Sequence, residues 1–133
     1  MDDKTARDIK MLCSYIPYFE NIDPNKACKW ITPTGTIALA GNYEYEDKLE
    51  LFVRDVSNSS LMDCDYIETI TRKMKGQSEI SKEIIKSADL KFAKAILTQF
   101  VRGERFCDGT WYSAVKDNIF LSVLQRLESF TNC

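Results

Sequence analysis

Apolar residues recur at intervals of three and four along most of this chain, and this periodicity constrains the fold more than any other feature. The clearest case is the segment from 89 to 102, whose apolar stripe consists of Ala93, Ile96, Leu97, Phe100 and Val101. This spacing places the side chains on one face of an amphipathic helix. Ser87 is its predicted N-cap, and Gly103 stands where helices often end in a left-handed residue.

The same periodicity predicts further helices on both sides of this segment. They cover residues 3 to about 16, 45 to 57, 66 to 74, a short turn around 83 to 85, 111 to 115 and 120 to 130. Pro17 is expected to end the first helix, because proline disfavours helical geometry at the residue before it. Asp63 or Asp65 is expected to cap the helix at 66, and Asp108 the helix at 111.

Two β-prone runs, 29–32 and 36–40, flank a Pro/Gly turn at 33–35, which is typical of a β-hairpin. Residues 20–25 have the composition of a loop. A chain of 133 residues with 44% hydrophobic residues is large enough to bury one core. We therefore predict a single domain over residues 1–133, mainly α, as a compact bundle of about five to six helices with one small β-hairpin near residues 28–41.

Several classes of function are disfavoured by what the sequence lacks. It has no histidine, which removes the commonest general base and the commonest metal ligand. Its five cysteines are widely spaced and form no Cys-x-x-Cys pair, which favours reduced thiols over a zinc site or a disulfide framework. No Gly-rich phosphate loop or nucleophile elbow is present. We expect no enzymatic activity, no metal and no cofactor.

Charge and hydropathy bear on location and partners. The chain begins with an acidic stretch rather than a secretory signal, and it has no apolar run of roughly 20 residues, so we expect a cytoplasmic protein without membrane contact. The net charge of -2 conceals an asymmetry: residues 1–68 carry 7 Lys and Arg against 13 Asp and Glu, whereas residues 69–133 carry 11 against 7. Such a division bears on partners rather than on the fold.

The turn between the helices at 89–102 and 111–115 is chemically the densest part of the chain. Its candidate partner-binding residues are Arg102, Arg105, Phe106, Asp108 and Trp111. Arginine forks bind carboxylate or phosphate, and aromatic rings beside them stack on a ligand. In the structural alternative, Arg102 or Arg105 pairs with Asp65 or Asp108, while Phe106 and Trp111 fill the core.

Two charged groups are further candidates. Tyr43, Glu44, Glu46 and Asp47, with Glu50, alternate tyrosine with acid and are predicted to contact a partner; clustered carboxylates also suit a hard cation, imitate a phosphate backbone, or simply form a solvated helix start. The second group, Lys91, Lys94, Thr98 and Arg102, lies on one helical face. A basic ridge over residues 91–105 is typical of nucleic-acid binding, but the interspersed Asp89 and Glu83 favour a solvated face.

Several blocks together resemble a family of small bacterial and phage-encoded proteins known only as a domain of unknown function. They are residues 15–20, 43–45, 63–66, 95–111 and 120–127, and the most specific is Arg-Gly-Glu-Arg-Phe-x-Asp-Gly-x-Trp at 102–111. The resemblance spans nearly the whole chain. It implies that Glu104 and Gly109, besides the candidates above, occupy positions where the family pattern is strong, but it implies no activity.

The function expected from these observations is a non-enzymatic protein-binding module of unknown partner. One alternative is a phage or mobile-element inhibitor of a host nucleic-acid defence system, and another is a nucleic-acid-binding protein that uses the basic ridge. An enzyme would depend on Glu104 and Asp108, the one carboxylate pair that the sequence offers for acid chemistry. The oligomeric state stays open.

Overall fold

A computed structural model describes residues 1–32, 41–77 and 79–131 of the chain. Its elements follow in the order α1 (Asp3–Cys13), α2 (Ile16–Asn21), α3 (Pro24–Ala27), β1 (Cys28–Ile31), β2 (Asn42–Tyr45), α4 (Asp47–Ser57), α5 (Tyr66–Met74), α6 (Lys82–Lys86), α7 (Leu90–Gly103), α8 (Thr110–Lys116) and α9 (Ile119–Ser129). The prediction of a mainly helical bundle with one small hairpin is confirmed.

The core lies where the apolar stripes of α1, α4, α7 and α9 meet. Phe52 of α4 packs edge-on against Phe19 of α2, with ring centroids 4.8 Å apart, and against Phe120 of α9 at 5.2 Å. Ile96 and Leu97, in the middle of α7, are fully buried. These contacts explain why the sequence periodicity located the main helices correctly, since each stripe buries its apolar face against another helix.

The predicted ends of several elements are corrected by the structure. α1 ends at Cys13, and Pro17 does not stop the helical path but lies in the first turn of α2, where a missing N–H breaks no helical hydrogen bond. The predicted loop at 20–25 is therefore partly helical, because α2 continues to Asn21 and Asp23 caps α3.

The long helix α7 also begins and ends differently from the prediction. Asp89, not Ser87, is its N-cap, and the Asp89 carboxylate accepts a hydrogen bond from the amide of Phe92 at 2.8 Å. Gly103 is part of the helix rather than a left-handed residue after it. A side chain at Gly103 would place its Cβ 2.6 Å from Cγ2 of Thr110, so glycine permits a close approach of α7 and α8.

The hairpin contains the first predicted strand, but its second strand differs from the prediction. β1 runs antiparallel to β2, with Cys28 opposite Tyr45 and Trp30 opposite Tyr43. The turn predicted at 33–35 and the strand predicted at 36–40 lie outside the described residues. β2 covers residues for which no strand was predicted, and only its last residue, Tyr45, was assigned to the next helix, which begins at Asp47. Tyr43 and Tyr45 are half-buried while their neighbours are exposed, as expected for a strand with one packed face.

Two further predictions concern membranes and thiols. No helix in the described part of the chain is both long enough and apolar enough to cross a bilayer. The four described cysteines, Cys13, Cys28, Cys64 and Cys107, are free thiols, whereas Cys133 lies outside the described residues.

Candidate functional site

The turn that joins α7 to α8 is organised around the carboxylate of Glu104. One oxygen accepts a hydrogen bond from the amide of Trp111 at 2.9 Å, and the other accepts from the amide of Gly109 at 2.9 Å and from the hydroxyl of Tyr45 at 2.7 Å. Glu104 therefore satisfies amides at the start of α8 and ties that start to the hairpin. The predicted cap, Asp108, is exposed and does not perform this role.

Trp111 closes the same turn from the other side. Its indole Nε1–H donates to the carbonyl oxygen of Val101 at 3.0 Å, which satisfies a carbonyl in the last turn of α7. Its ring lies against Tyr45, with centroids 4.9 Å apart. The indole is half-buried and packed against the core, so this part of the structural alternative for the turn agrees with the observed packing.

The structure brings two predicted sites together, because the hairpin packs directly on the turn. Tyr43 stacks on Tyr45 and on Tyr112, with centroids 5.8 and 5.6 Å apart. A Cβ at Gly109 would lie 2.8 Å from the Tyr43 ring, and Gly109 has a φ of 91°, so both space and backbone favour glycine there. Burial, and then the hydrogen bond to Glu104, raise the pKa of the Tyr45 hydroxyl well above its ordinary range.

The tip of the turn is open to solvent. Arg105, Phe106, Cys107 and Asp108 are all exposed, and the Phe106 side chain is 75% accessible. The prediction that Phe106 fills the core is therefore wrong. So is the predicted lock between helices, since neither Arg102 nor Arg105 forms an ion pair with Asp65 or Asp108, all four of which are described.

Arg102 lies deeper in the structure than the other residues of the tip. Its guanidinium stands over the ring of Tyr66, 5.7 Å from the centroid, and its buried Nε has no hydrogen-bond partner in the described part of the chain. Arg102 and Arg105 together line a cleft of about 330 Å³. The other residues around this cleft are Val53, Ser57, Val101, Glu104 and Trp111.

The four acidic side chains at 43–50 are all exposed, and one of them, Glu46, is also bonded to another helix. Glu46 accepts a short hydrogen bond from the hydroxyl of Tyr18, which, after burial, is the next cause of the raised pKa of that tyrosine. Glu44, Asp47 and Glu50 are exposed. Within the described ranges, the group of three side chains close enough to share a metal ion lies elsewhere, at Asp63, Cys64 and Asp65.

Asp63 already has partners of its own, which the sequence did not reveal. This buried carboxylate accepts a hydrogen bond from the amide of Asp65 at 2.9 Å and forms an ion pair with Lys91 at 3.3 Å. The Asp63 amide donates to the hydroxyl of Thr98 at 2.9 Å. The network fixes the loop before α5 against α7.

The basic ridge is consequently not a continuous exposed face. Thr98 is fully buried and donates to the carbonyl of Lys94, and Lys91 is paired with Asp63. This side of α7 packs against α5. The residues of the ridge do share one helical face, as predicted. Part of that face, however, is in contact with the rest of the protein. The ridge consists of Lys91, Lys94, Thr98 and Arg102.

The nominated acid pair is separated in the same way. Glu104 is held by three hydrogen-bond donors, whereas Asp108 points to the solvent side of the turn and does not line the cleft that Glu104 borders. The two carboxylates therefore do not face one common cavity.

Comparison with known proteins shows the family to which the chain belongs but no activity. A model of a family of unknown function (DUF6508) matches residues 4–132, so the chain belongs to that family. Searches of curated proteins and of solved structures found no match. The expected resemblance to a family of unknown function over nearly the whole chain is thereby confirmed, whereas the motif at 102–111 and the bacterial and phage origin stay predictions.

Proposed function

We propose that this member of the DUF6508 family is a non-enzymatic protein-binding module whose contact surface is the tip of the turn at 105–108. The observation that carries the proposal is the 75% exposure of Phe106 on a turn fixed from beneath by Glu104. Aromatic and arginine side chains are the residues that most often supply the binding energy of protein interfaces.

The rigidity of the turn strengthens this reasoning. Binding costs free energy when flexible loops must be ordered, and a surface that is already held in place avoids much of that cost. Here the Glu104 carboxylate holds the amides at the start of α8, and the Trp111 indole is bonded to Val101. Arg105 and Phe106 are therefore presented from a fixed base.

The hairpin extends the apolar part of this surface. Trp30 and Ile31 of β1 are both exposed, and Trp30 is 51% accessible. Tyr43 connects them to the turn, because it lies against Gly109 on one side and meets the Trp30 ring at 5.0 Å on the other. Neighbouring exposed apolar side chains of this kind are typical of interaction sites.

The proposal is tested by comparing two exposed apolar residues. Immobilised wild-type protein, Phe106→Ala and Ile67→Ala are used to capture partners from a lysate of the organism that encodes the chain. Ile67 is the matched control, since it is 66% exposed on another element, α5. Because Phe106 contributes little to folding, both variants are expected to unfold at the wild-type temperature.

We expect Phe106→Ala to lose the captured protein by about tenfold or more, and Ile67→Ala to retain it, because truncating an interface anchor costs about 2 kcal/mol. Equal capture by the two variants, or no specific protein captured by the wild type, contradicts the proposal.

A second candidate function is favoured by the exposed carboxylates of Glu44, Asp47 and Glu50. Fixed surface carboxylates complement a basic partner, as an inhibitor encoded by a phage or mobile element would need in order to occupy the nucleic-acid channel of a host defence protein. A gene position among defence and anti-defence genes of a prophage would support this function. A position in a housekeeping operon, or unchanged partner capture by Glu44→Lys with Asp47→Lys, counts against it.

A further inference from the structure

We infer that the cleft between Arg102 and Arg105 is a carboxylate-binding pocket, which receives an acidic side chain of the protein partner. The inference rests on the proposed protein-binding function and names the chemistry of the partner. The cleft has a volume of about 330 Å³, which is large enough for one side chain and too small for a folded element.

Neither arginine has a counter-ion within ion-pair distance among the described residues. Across residues 1–32, 41–77 and 79–131, the ion pairs join Lys4 to Asp8, Lys73 to Asp89 and Lys91 to Asp63, and none includes Arg102 or Arg105. A carboxylate that enters the cleft would meet the guanidinium groups of Arg102 and Arg105, which both line it and can donate charge-assisted hydrogen bonds.

The walls of the cleft favour a planar ligand that is partly apolar. Tyr66 lies against the Arg102 guanidinium and restricts its orientation. Val53, Val101 and Trp111 supply apolar surface around the two charged groups. A carboxylate carried on a short aliphatic stem fits this combination, because the fork of a guanidinium donates two parallel hydrogen bonds to its two oxygens.

Charge distinguishes a carboxylate from a phosphate here. Glu104 also lines the cleft, so two positive side chains face one negative side chain. A singly charged carboxylate complements this balance, whereas a phosphate dianion would meet stronger repulsion from Glu104. Arg105 lies next to Phe106 in the chain, so a partner whose acid enters the cleft would place its neighbouring residues over the exposed phenylalanine.

Propionate, which imitates a glutamate side chain, is the probe for this pocket. It is titrated into ¹⁵N-labelled protein at constant ionic strength, with sodium chloride as the reference and inorganic phosphate as a second ligand. The indole N–H signal of Trp111 reports on the cleft, and that of Trp30, in the hairpin, is the internal control. We expect a saturable shift of the Trp111 signal, with a dissociation constant on the order of 10 mM for so small a ligand.

Arg102→Gln and Arg105→Gln are each expected to weaken propionate binding by about tenfold, because each removes charge-assisted hydrogen bonds. Arg72→Gln, at an exposed position of α5, is the matched control and should bind propionate as the wild type does. If Arg102→Gln fails to fold, the exposed Arg105 still provides the test.

Three results would overturn the assignment: a linear shift no larger than that caused by chloride, unchanged affinity in the Arg105→Gln variant, or tighter binding of phosphate than of propionate. The two proposals fail separately. If Phe106→Ala loses the captured partner but the wild type does not bind propionate, the binding surface is supported and the pocket is contradicted. If the wild type binds propionate but Phe106→Ala still captures the partner fully, the pocket is supported and the binding surface is contradicted.

Discussion

Replacing Glu104 by alanine should destabilise the protein far more than its position on a surface turn would indicate. The substitution leaves the amides of Gly109 and Trp111 and the hydroxyl of Tyr45 without their acceptor. Loss of a helix cap costs about 1 kcal/mol. Loss of a hydrogen bond between a partly buried hydroxyl and a charged acceptor costs about 1.5 to 2 kcal/mol. We therefore expect the free energy of unfolding to fall by about 3 kcal/mol.

Urea denaturation followed by circular dichroism measures this loss, and thermal unfolding should show a decrease in Tm of about 10 °C for a chain of this size. Glu104→Gln keeps one carbonyl acceptor and should lose about half as much. Asp108→Ala is the matched control in the same turn, since its exposed side chain makes no hydrogen bond in the structure, and its effect should stay within about 0.5 kcal/mol.

A double-mutant cycle with Tyr45→Phe isolates the contact between the turn and the hairpin. The sum of the losses in unfolding free energy of the two single variants should exceed the loss of the double variant by about 1 kcal/mol, because the Tyr45 hydroxyl has no acceptor once Glu104 is removed. The predicted role of Glu104 is refuted if the unfolding free energy of Glu104→Ala lies within about 0.5 kcal/mol of the wild-type value, or if the effects of the two substitutions are additive.

Three further predictions concern the backbone, the buried carboxylate and acid stability. Gly109→Ala should cost more than Gly76→Ala in urea unfolding, by about 1 kcal/mol or more, because both glycines have positive φ but a Cβ contacts a ring only at Gly109. Asp63→Ala should cost about 2 to 4 kcal/mol and Lys91→Ala less than about 1 kcal/mol, since the carboxylate is buried and the ammonium is exposed; equal losses contradict this. The amide of Phe92 and then Lys73 lower the pKa of Asp89 below its ordinary 3.8, so its stabilising effect is complete above that value and is lost as the pH falls below it. Asp89→Asn, which keeps the cap, should reduce the difference in unfolding free energy between neutral and acidic pH, as urea titrations at the two pH values will show.

The sequence predicted best the helices whose buried face is evident from their own apolar stripe. α7 and α9 carry unbroken apolar stripes, and nothing elsewhere in the chain is needed to locate them. α2 was missed because the rule that proline ends a helix was applied at Pro17, where the chain instead begins a new one. β2 was missed because four residues, half of them polar or acidic, give too short an alternation to compete with the helix that follows.

The candidate site was less predictable because its contacts join distant parts of the chain. Tyr45 and Glu104 are 59 residues apart, and no local pattern pairs them. The sequence identified the block from 102 to 111 as important but assigned the cap to Asp108, the residue that local helix rules favour. The exposure of Phe106 was equally hidden, since a phenylalanine near a helix end is usually buried.

The structural role and the proposed binding role of the turn do not compete, because different residues perform them. Glu104, Gly109 and Trp111 face inwards and hold α7, α8 and the hairpin together, while Arg105 and Phe106 face outwards. A substitution on the inner side should therefore lower stability and partner binding together, since it removes the base on which the outer side depends. A substitution on the outer side should lower binding alone. A Phe106→Ala variant that loses stability as Glu104→Ala does would show that the turn is structural throughout.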